Sequence, residues 1–220
     1  MLNPRRVTIF CGHYGTGKTN VAVNYALYLR QTLGKSVRIA DMDIVNPYFR
    51  TKDSEDRLNK AGIGLISPHY ANTNVDLPAL PQELYGLFEF RDDYAVLDIG
   101  GDDRGAYALG RFTPMILEEN DYDNLFVANF YRPLTSDVND SIEVMREIEA
   151  ASKIPFTGIV NNSNLGGETT ADDIKKKMPL ARELSEKAGI PVVMTSVMRK
   201  FAGEFEGENI LPLDLQEKYY

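Results

Sequence analysis

The chain has 220 residues, of which 43% are hydrophobic and 25% charged, and this composition suits one α/β domain with a sizeable core. Its formal net charge of −8 opposes broad, sequence-independent binding of nucleic acid, because such binding needs a basic face. The sequence contains a single cysteine, no signal-peptide pattern and no apolar stretch near the length of a membrane helix, so we expect a cytoplasmic protein without a membrane segment.

Residues 12–19 read Gly-His-Tyr-Gly-Thr-Gly-Lys-Thr and match the phosphate-binding loop G-x-x-x-x-G-K-[ST] in full. The apolar run at residues 6–11 predicts a buried strand before the loop, and helical spacing over residues 21–29 predicts a helix after it. Glycines let successive backbone N–H groups turn onto a phosphate, and the helix N-terminus adds a partial positive charge. We therefore expect Lys18 to bridge the β- and γ-phosphates and the Thr19 hydroxyl to bind Mg²⁺.

The rest of the sequence alternates predicted strands with predicted helices. Short apolar runs predict further strands at residues 36–40, 62–66, 94–99, 125–128, 156–160 and 191–194. Helical spacing of apolar residues predicts helices over residues 78–90, 137–151 and 171–188. This alternation is typical of a mostly parallel sheet covered on both faces, so we expect a three-layer α/β/α P-loop NTPase fold over residues 1–220.

Several carboxylates follow the predicted strands at 36–40 and 94–99. Asp41 and Asp43 come after the first of these strands, and Asp98 closes the second. A carboxylate in this position often forms a turn or caps a helix, but a phosphate loop also needs acidic partners for Mg²⁺ and for an attacking water. We expect Asp98 to be the magnesium carboxylate, and the Gly100-Gly101 pair after it to let the backbone approach a γ-phosphate.

Three segments together resemble the MinD/ParA/nitrogenase-iron-protein (SIMIBI) class of P-loop ATPases, often grouped as the CobQ/CobB/MinD/ParA nucleotide-binding domain. They are the phosphate loop, the D-x-D-x-x-N-P pattern at residues 41–47 and the D-x-G-G-D pattern at residues 98–102. The resemblance extends from about residue 6 to about residue 196. It implies that Asp43 positions the attacking water, that Asp98 lies near Mg²⁺ and that Asp102 matches the acidic residue four positions on.

The same resemblance bears on recognition of the base. Residues 158–163 resemble the family strand that ends in a base-contacting asparagine, which implies this role for Asn162. A carboxamide can both donate to and accept from an adenine edge, although an asparagine pair after a strand also forms turns. The GTP-specific pattern N-K-x-D requires an aspartate where this chain has Asn164, or Leu165 if the pattern starts one residue later. We therefore expect ATP rather than GTP.

Two positions depart from the family pattern. Many relatives carry a signature lysine one residue after the first loop glycine, where this chain has His13. A histidine carries only a partial charge at neutral pH, so it is either a weaker trigger across a dimer or an exposed loop side chain. Gly105 occupies the position of a cluster-binding cysteine in the iron protein, which excludes electron transfer of that type.

These observations predict a slow Mg²⁺-dependent ATPase that acts as a nucleotide-dependent switch, forming a homodimer or docking an unknown protein partner. One alternative is an ATP-dependent small-molecule synthetase or kinase similar to dethiobiotin synthetase or cobyrinate amidation domains. Another is a nucleotide-dependent interaction protein with negligible turnover. The partner or substrate would bind between Pro47 and Pro81, near Asn46, Tyr48, Arg50, His69 and Tyr70, unless these are packing residues.

The predicted site residues fall into three groups. The nucleotide-binding group is Gly12, His13, Tyr14, Gly15, Thr16, Gly17, Lys18, Thr19, Asn20, Gly101 and Asn162. The metal-binding group is Thr19, Asp43 and Asp98, and the catalytic group is Lys18, Asp43 and Asp98.

Overall fold

A computed structural model describes residues 3–43, 51–67, 82–89, 91–205 and 209–216. The strands in these residues form one sheet in the order β3-β2-β4-β1-β5-β6-β7-β8, and all neighbouring pairs are parallel. The strands are β1 Val7–Cys11, β2 Val37–Met42, β3 Gly64–Ile66, β4 Tyr94–Ile99, β5 Tyr122–Ala128, β6 Gly158–Asn161, β7 Val192–Met198 and β8 Ile210–Leu213. The predicted parallel α/β fold is thus confirmed.

Helices cover both faces of the sheet. The α-helices are α1 Lys18–Gln31, α2 Glu55–Lys60, α3 Glu83–Glu89, α4 Asp103–Gly110, α5 Thr113–Glu119, α6 Val138–Ser152 and α7 Ala171–Ala188. Short 3-10 helices run over Thr51–Ser54, Pro133–Thr135, Gly166–Glu168 and Arg199–Glu204. Buried side chains of α1 and α2 pack on one face, and those of α3 to α7 pack on the other.

Strand β1 shows why the central strands read as unbroken apolar runs. Val7, Ile9 and Cys11 pack into the core under α3 to α7, whereas Phe10 packs into the core under α1. Successive side chains of a strand point to opposite faces, so a strand covered on both faces must be apolar at every position. The phosphate loop therefore begins at the end of a strand that is fixed from both sides.

Some elements differ from the sequence-based expectation. Strand β2 extends beyond the predicted run to include Asp41, and the helix predicted over residues 78–90 is seen as α3, with residues 68–81 and 90 outside the described part. Helices α2, α4 and α5 and strand β8 were not predicted. Strand β8 contains Pro212 and lies at the edge of the sheet, where a missing N–H costs little. Among the described residues, no helix is both long and apolar enough to cross a membrane.

The two ends of the sheet are joined across α1. Arg57 of α2, which packs beside β3, donates to the Asp214 carboxylate after β8 at 2.9 Å. Arg199 donates to both oxygens of the same carboxylate at 2.8 and 2.9 Å. The Asn24 amide of α1 donates to Asp214 O and accepts from Asp214 N, both at 3.0 Å. Hydrogen bonds from Arg199 and the charge of Arg57 lower the pKa of Asp214, so the residue stays an anion in this closure.

Candidate nucleotide-binding site

The glycines of the phosphate loop are required by close contacts as well as by backbone conformation. A Cβ atom on Gly12, where φ is +149°, would lie 2.7 Å from the carbonyl oxygen of Val127. A Cβ atom on Gly17, where φ is +88°, would lie 2.5 Å from the Nδ2 atom of Asn162. The loop is therefore pressed against the ends of β5 and β6, and larger residues at these positions would push it away.

Lys18 lies in the first turn of α1 and is buried, with 7% of its surface exposed. Its Nζ atom donates to the carbonyl oxygen of His13 at 3.1 Å, so the ammonium lies across the loop. Burial lowers the pKa of Lys18, and the nearby carboxylates of Asp98 and Asp43 oppose that shift. A buried ammonium is costly unless anions neutralise it, and the phosphates of a nucleotide are suited to do so.

Asp98 is the penultimate residue of β4 and is 1% exposed. Its Oδ2 atom accepts from the hydroxyl of Thr51 at 2.8 Å, whereas its buried Oδ1 atom has no hydrogen-bond partner among the residues that the structure describes. Burial raises the pKa of Asp98 to about 6, and the Lys18 ammonium and the hydroxyls of Thr19 and Thr51 oppose that shift. A buried carboxylate oxygen without a donor is an appropriate ligand for a cation or for a cation's water.

The residues expected to bind magnesium meet at one edge of the sheet. Asp43 follows β2, where its backbone N donates to Asp41 Oδ1 at 3.0 Å, and its own Oδ1 atom would lie 3.3 Å from a Cβ placed on Gly100. Across the described ranges, no group of three or more histidine, cysteine or acidic side chains could hold a metal alone. Mg²⁺ at phosphate sites takes most of its ligands from phosphates and water, so Thr19 with one or two carboxylates fits it.

The chain after β4 packs tightly against the phosphate loop. A Cβ atom on Gly101 would lie 2.6 Å from Tyr14 N and 2.8 Å from Lys18 Nζ, so only glycine allows this approach. Asp102 accepts from the Gly105 backbone N at 3.0 Å and caps α4. Asp102 therefore serves as a helix cap at the edge of the site.

A cleft of about 430 Å³ opens beside the loop. Its walls include His13 and Tyr14 of the loop, the start of α4 with Arg104, and Glu147 of α6. His13 contributes its ring nitrogen Nδ1 to a contact with Tyr14 O at 3.1 Å. The cleft thus lies against the half of the loop that contains His13.

The two predicted asparagines make protein contacts. Asn162 is 1% exposed, and its Nδ2 atom donates to Thr16 O at 2.6 Å. The Oδ1 atom of Asn20 accepts from Gln216 N at 3.2 Å, which connects α1 to the chain after β8. The base contact expected of Asn162 stays a prediction.

The structure adds residues that the sequence did not single out. Thr51 is fully buried and holds Asp98, and Ser196 of β7 donates to the Asn162 amide oxygen. A hydroxyl soon after the D-x-D-x-x-N-P pattern was the only available signal for Thr51. Other predicted contact residues, namely Asn46, Tyr48, Arg50, His69 and Tyr70, lie outside the described residues.

Solved structures of known proteins share this fold. The cell division protein FtsY from Thermotoga maritima superposes with a TM-score of 0.59 at 20% identity, covering 87% of this chain and 60% of FtsY. The signal recognition particle 54 kDa protein from Aeropyrum pernix K1, in complex with GDP, gives 0.55 at 14% identity, covering 87% and 41%. FlhF complexed with GTP and Mg²⁺ gives 0.54 at 15% identity, covering 86% and 64%.

This chain thus spans less than two thirds of the length of each of these proteins. No protein-family model and no curated protein matches the sequence. At these identities the likeness shows the fold alone, an α/β fold of the P-loop NTPase type.

Proposed function

We propose that the chain is an Mg²⁺-dependent ATP-binding protein and slow ATPase of the MinD/ParA-like class, which acts as a nucleotide-dependent switch for a partner. The observation that carries this proposal is the pair of buried, opposite charges beneath the phosphate loop. Lys18 lies across the loop, and nearby Asp98 has one buried oxygen for which the described part of the chain supplies no donor. Phosphate and Mg²⁺ together would neutralise both groups.

Each residue has a defined task in this proposal. The loop amides and Lys18 bind the phosphates, Thr19 and Asp98 hold the cation, and Asp43 orients the attacking water. Mg²⁺, when bound, neutralises charge on the phosphates. Turnover is slow because His13 replaces the family's lysine, and a partner can complete the site.

The choice of ATP is supported by Asn164, which lies where a GTP-specific loop needs an aspartate. Its Nδ2 atom donates to both oxygens of Asn162 at 2.9 Å, and its Oδ1 atom accepts from Gly166 N at 3.1 Å. The side chain is therefore committed to the loop and supplies no carboxylate for the guanine N–H groups. Two of the three neighbours described above are complexes with GDP or GTP, so both nucleotides are compared.

Calorimetric titration with Mg-ATP and Mg-GTP tests the base preference. We expect tighter binding of Mg-ATP to the wild-type chain. As a matched variant, Asn164→Asp restores the missing carboxylate and should shift the preference towards GTP. A clear GTP preference of the wild type would refute the proposed ATP specificity while leaving nucleotide binding intact.

The cleft beside His13 and Tyr14 favours one second candidate, the small-molecule synthetase or kinase. Its volume of about 430 Å³ falls within the range of small-ligand sites, and Arg104 could bind an acidic substrate next to the transferred phosphate. Light scattering of Asp43→Asn with ADP and then ATP separates the two functions. A switch should change mass with ATP by forming a dimer, whereas an unchanged mass would favour the synthetase or kinase.

A further inference from the structure

Both polar atoms of the Asn162 side-chain amide make hydrogen bonds within the protein. Its Nδ2 atom donates to Thr16 O at 2.6 Å. Its Oδ1 atom accepts from the hydroxyl of Ser196 and, at 2.9 Å, from Asn164 Nδ2. The backbone N of Asn162 donates to Ala128 O at 2.8 Å, so the residue is fixed at the end of β5 as well.

The phosphate loop needs such a donor behind it. When the N–H groups of a loop turn inward to a phosphate, the carbonyl groups turn outward and must find donors elsewhere. The carbonyl of His13 accepts from the hydroxyl of Thr16 at 2.9 Å and from Lys18. The carbonyl of Thr16, one residue before Gly17, has the Asn162 amide as its donor.

The contact also sets the shape of the loop. Gly17 takes φ of +88°, and its position leaves no room for a Cβ atom because Asn162 Nδ2 lies directly against it. The Asn162 amide therefore determines how closely the last turn of the loop approaches β6. Ser196, from the neighbouring strand β7, determines in turn which way that amide faces.

Reading a base would require different geometry. A carboxamide that recognises adenine must offer its oxygen to the exocyclic amine and an N–H group to a ring nitrogen. The Asn162 oxygen already accepts two donors, and the residue is 1% exposed.

We infer that Asn162 is a positioning residue that holds the phosphate loop in its binding conformation, and that Ser196 orients its amide for this task. Asn162 thereby contributes to the binding of any ligand with a phosphate chain, whatever base it carries. The inference rests on the proposed nucleotide binding by the loop.

The experiment compares three probes that share a phosphate chain: Mg-ATP, Mg-GTP and Mg-tripolyphosphate, which has no base. Affinities are measured by calorimetry for wild type, Asn162→Asp and Ser196→Ala, at a temperature where circular dichroism shows each protein to be folded. Asn162→Asp keeps the oxygens that accept from Ser196 and Asn164 but removes the donor to Thr16. The matched control is Ser152→Ala, which removes an equally buried serine hydroxyl bonded within α6.

For Asn162→Asp we expect the affinity for all three probes to fall by the same factor, on the order of tenfold. Ser196→Ala should lower all three affinities by about two- to threefold, because Asn164 still holds the amide oxygen. Ser152→Ala should leave them unchanged. If Asn162→Asp does not fold, Ser196→Ala carries the test alone, since it removes one hydroxyl only.

Two results would overturn the inference while leaving the proposed function intact. A loss confined to ATP, with tripolyphosphate binding unchanged, would make Asn162 a base-reading residue. Unchanged affinities for every probe would remove any role of Asn162 in positioning the loop. If the wild-type chain binds none of the probes, the proposed function fails, and with it the reason for a positioned loop.

Discussion

The phosphate side of the candidate site, around Lys18 and Asp98, and the Asn162 side differ in how far the protein satisfies its own polar groups. On the phosphate side, Lys18 and Asp98 are buried groups whose pKa values shift towards the neutral forms, and no donor to Asp98 Oδ1 is found in the described ranges. On the Asn162 side, the amide of this residue is held by Thr16, Ser196 and Asn164. The protein thus satisfies the polar groups of the Asn162 side by itself. The buried charges of Lys18 and Asp98 need a ligand to neutralise them.

The largest effect should come from removing the cation of the phosphate side. We expect Lys18→Ala to weaken Mg-ATP binding by about 2–5 kcal/mol, because phosphate charge would stay uncompensated in a partly desolvated site. Calorimetric titration measures this loss. Lys187→Ala, which removes a half-exposed lysine paired with Glu183 on α7, is the control. Equal binding of Mg-ATP by wild type and Lys18→Ala would contradict the view that the charge of Lys18 is there to be neutralised by a ligand.

Asp43→Asn separates chemistry from binding on the same side. We expect turnover to fall by on the order of a hundredfold or more, because the attacking water loses its orienting carboxylate. ATP binding should persist, since the loop amides and Lys18 remain. Phosphate release and calorimetry on the same preparation test both statements. Undiminished turnover would transfer the catalytic role to Asp98 or Asp102.

Thr51→Val tests the hydrogen bond that the Thr51 hydroxyl donates to the Asp98 carboxylate. The substitution keeps the shape of the side chain but removes the donor at 2.8 Å from Oδ2. We expect the Mg²⁺-dependent part of nucleotide affinity to weaken by about 1–2 kcal/mol, as for loss of a buried bond to a charged group. Magnesium titrations at fixed nucleotide measure it. Thr51→Ser retains the hydroxyl and should restore affinity, and a Val variant that behaves like wild type would contradict the prediction.

Asp98→Asn should have a smaller effect, namely a change in thermal stability that depends on pH. Because the pKa of Asp98 is raised to about 6 in the folded chain, the folded state holds this proton more tightly than the unfolded state. The stabilisation that this group contributes is complete below its unfolded pKa of about 4 and is lost as pH rises through about 6.

We therefore expect the ligand-free Asn variant to gain melting temperature relative to wild type between pH 4 and pH 7, by on the order of a few degrees. Thermal unfolding of both proteins across this range measures the difference. A difference in melting temperature that does not change with pH would contradict the raised pKa of Asp98.

The sequence predicted those motifs, strands and helices that can be identified from a short run of neighbouring residues. The phosphate loop follows from its pattern, and the run at Tyr94–Ile99 matches β4 residue for residue because it is apolar on both faces. Helix α4 was missed because its start lies in the glycine-rich segment after Asp98, which reads as a loop. Strand β8 was missed because Pro212 argues against a strand unless the segment is known to lie at an edge.

The contacts of the site could be predicted only in part, because distant segments decide them. The role of the Asp98 carboxylate could be predicted from its place near the end of a predicted strand, but its hydroxyl partner comes from Thr51, 47 residues earlier. The polar pair at the end of β6 was visible, but the orientation of Asn162 depends on Ser196, 34 residues later. No spacing within the sequence carries this information.

The closure across α1 has a consequence for synthesis of the chain on the ribosome. The Asn24 amide in the helix behind the phosphate loop is 3% exposed and pairs with Asp214, 190 residues later. Until residues 209–216 have been translated, that amide lacks its two hydrogen bonds to the Asp214 backbone and the helix lacks the support of β8. Closing a contact of this length is a late event in folding, so the nascent protein acquires its finished phosphate-binding helix only when translation reaches these residues.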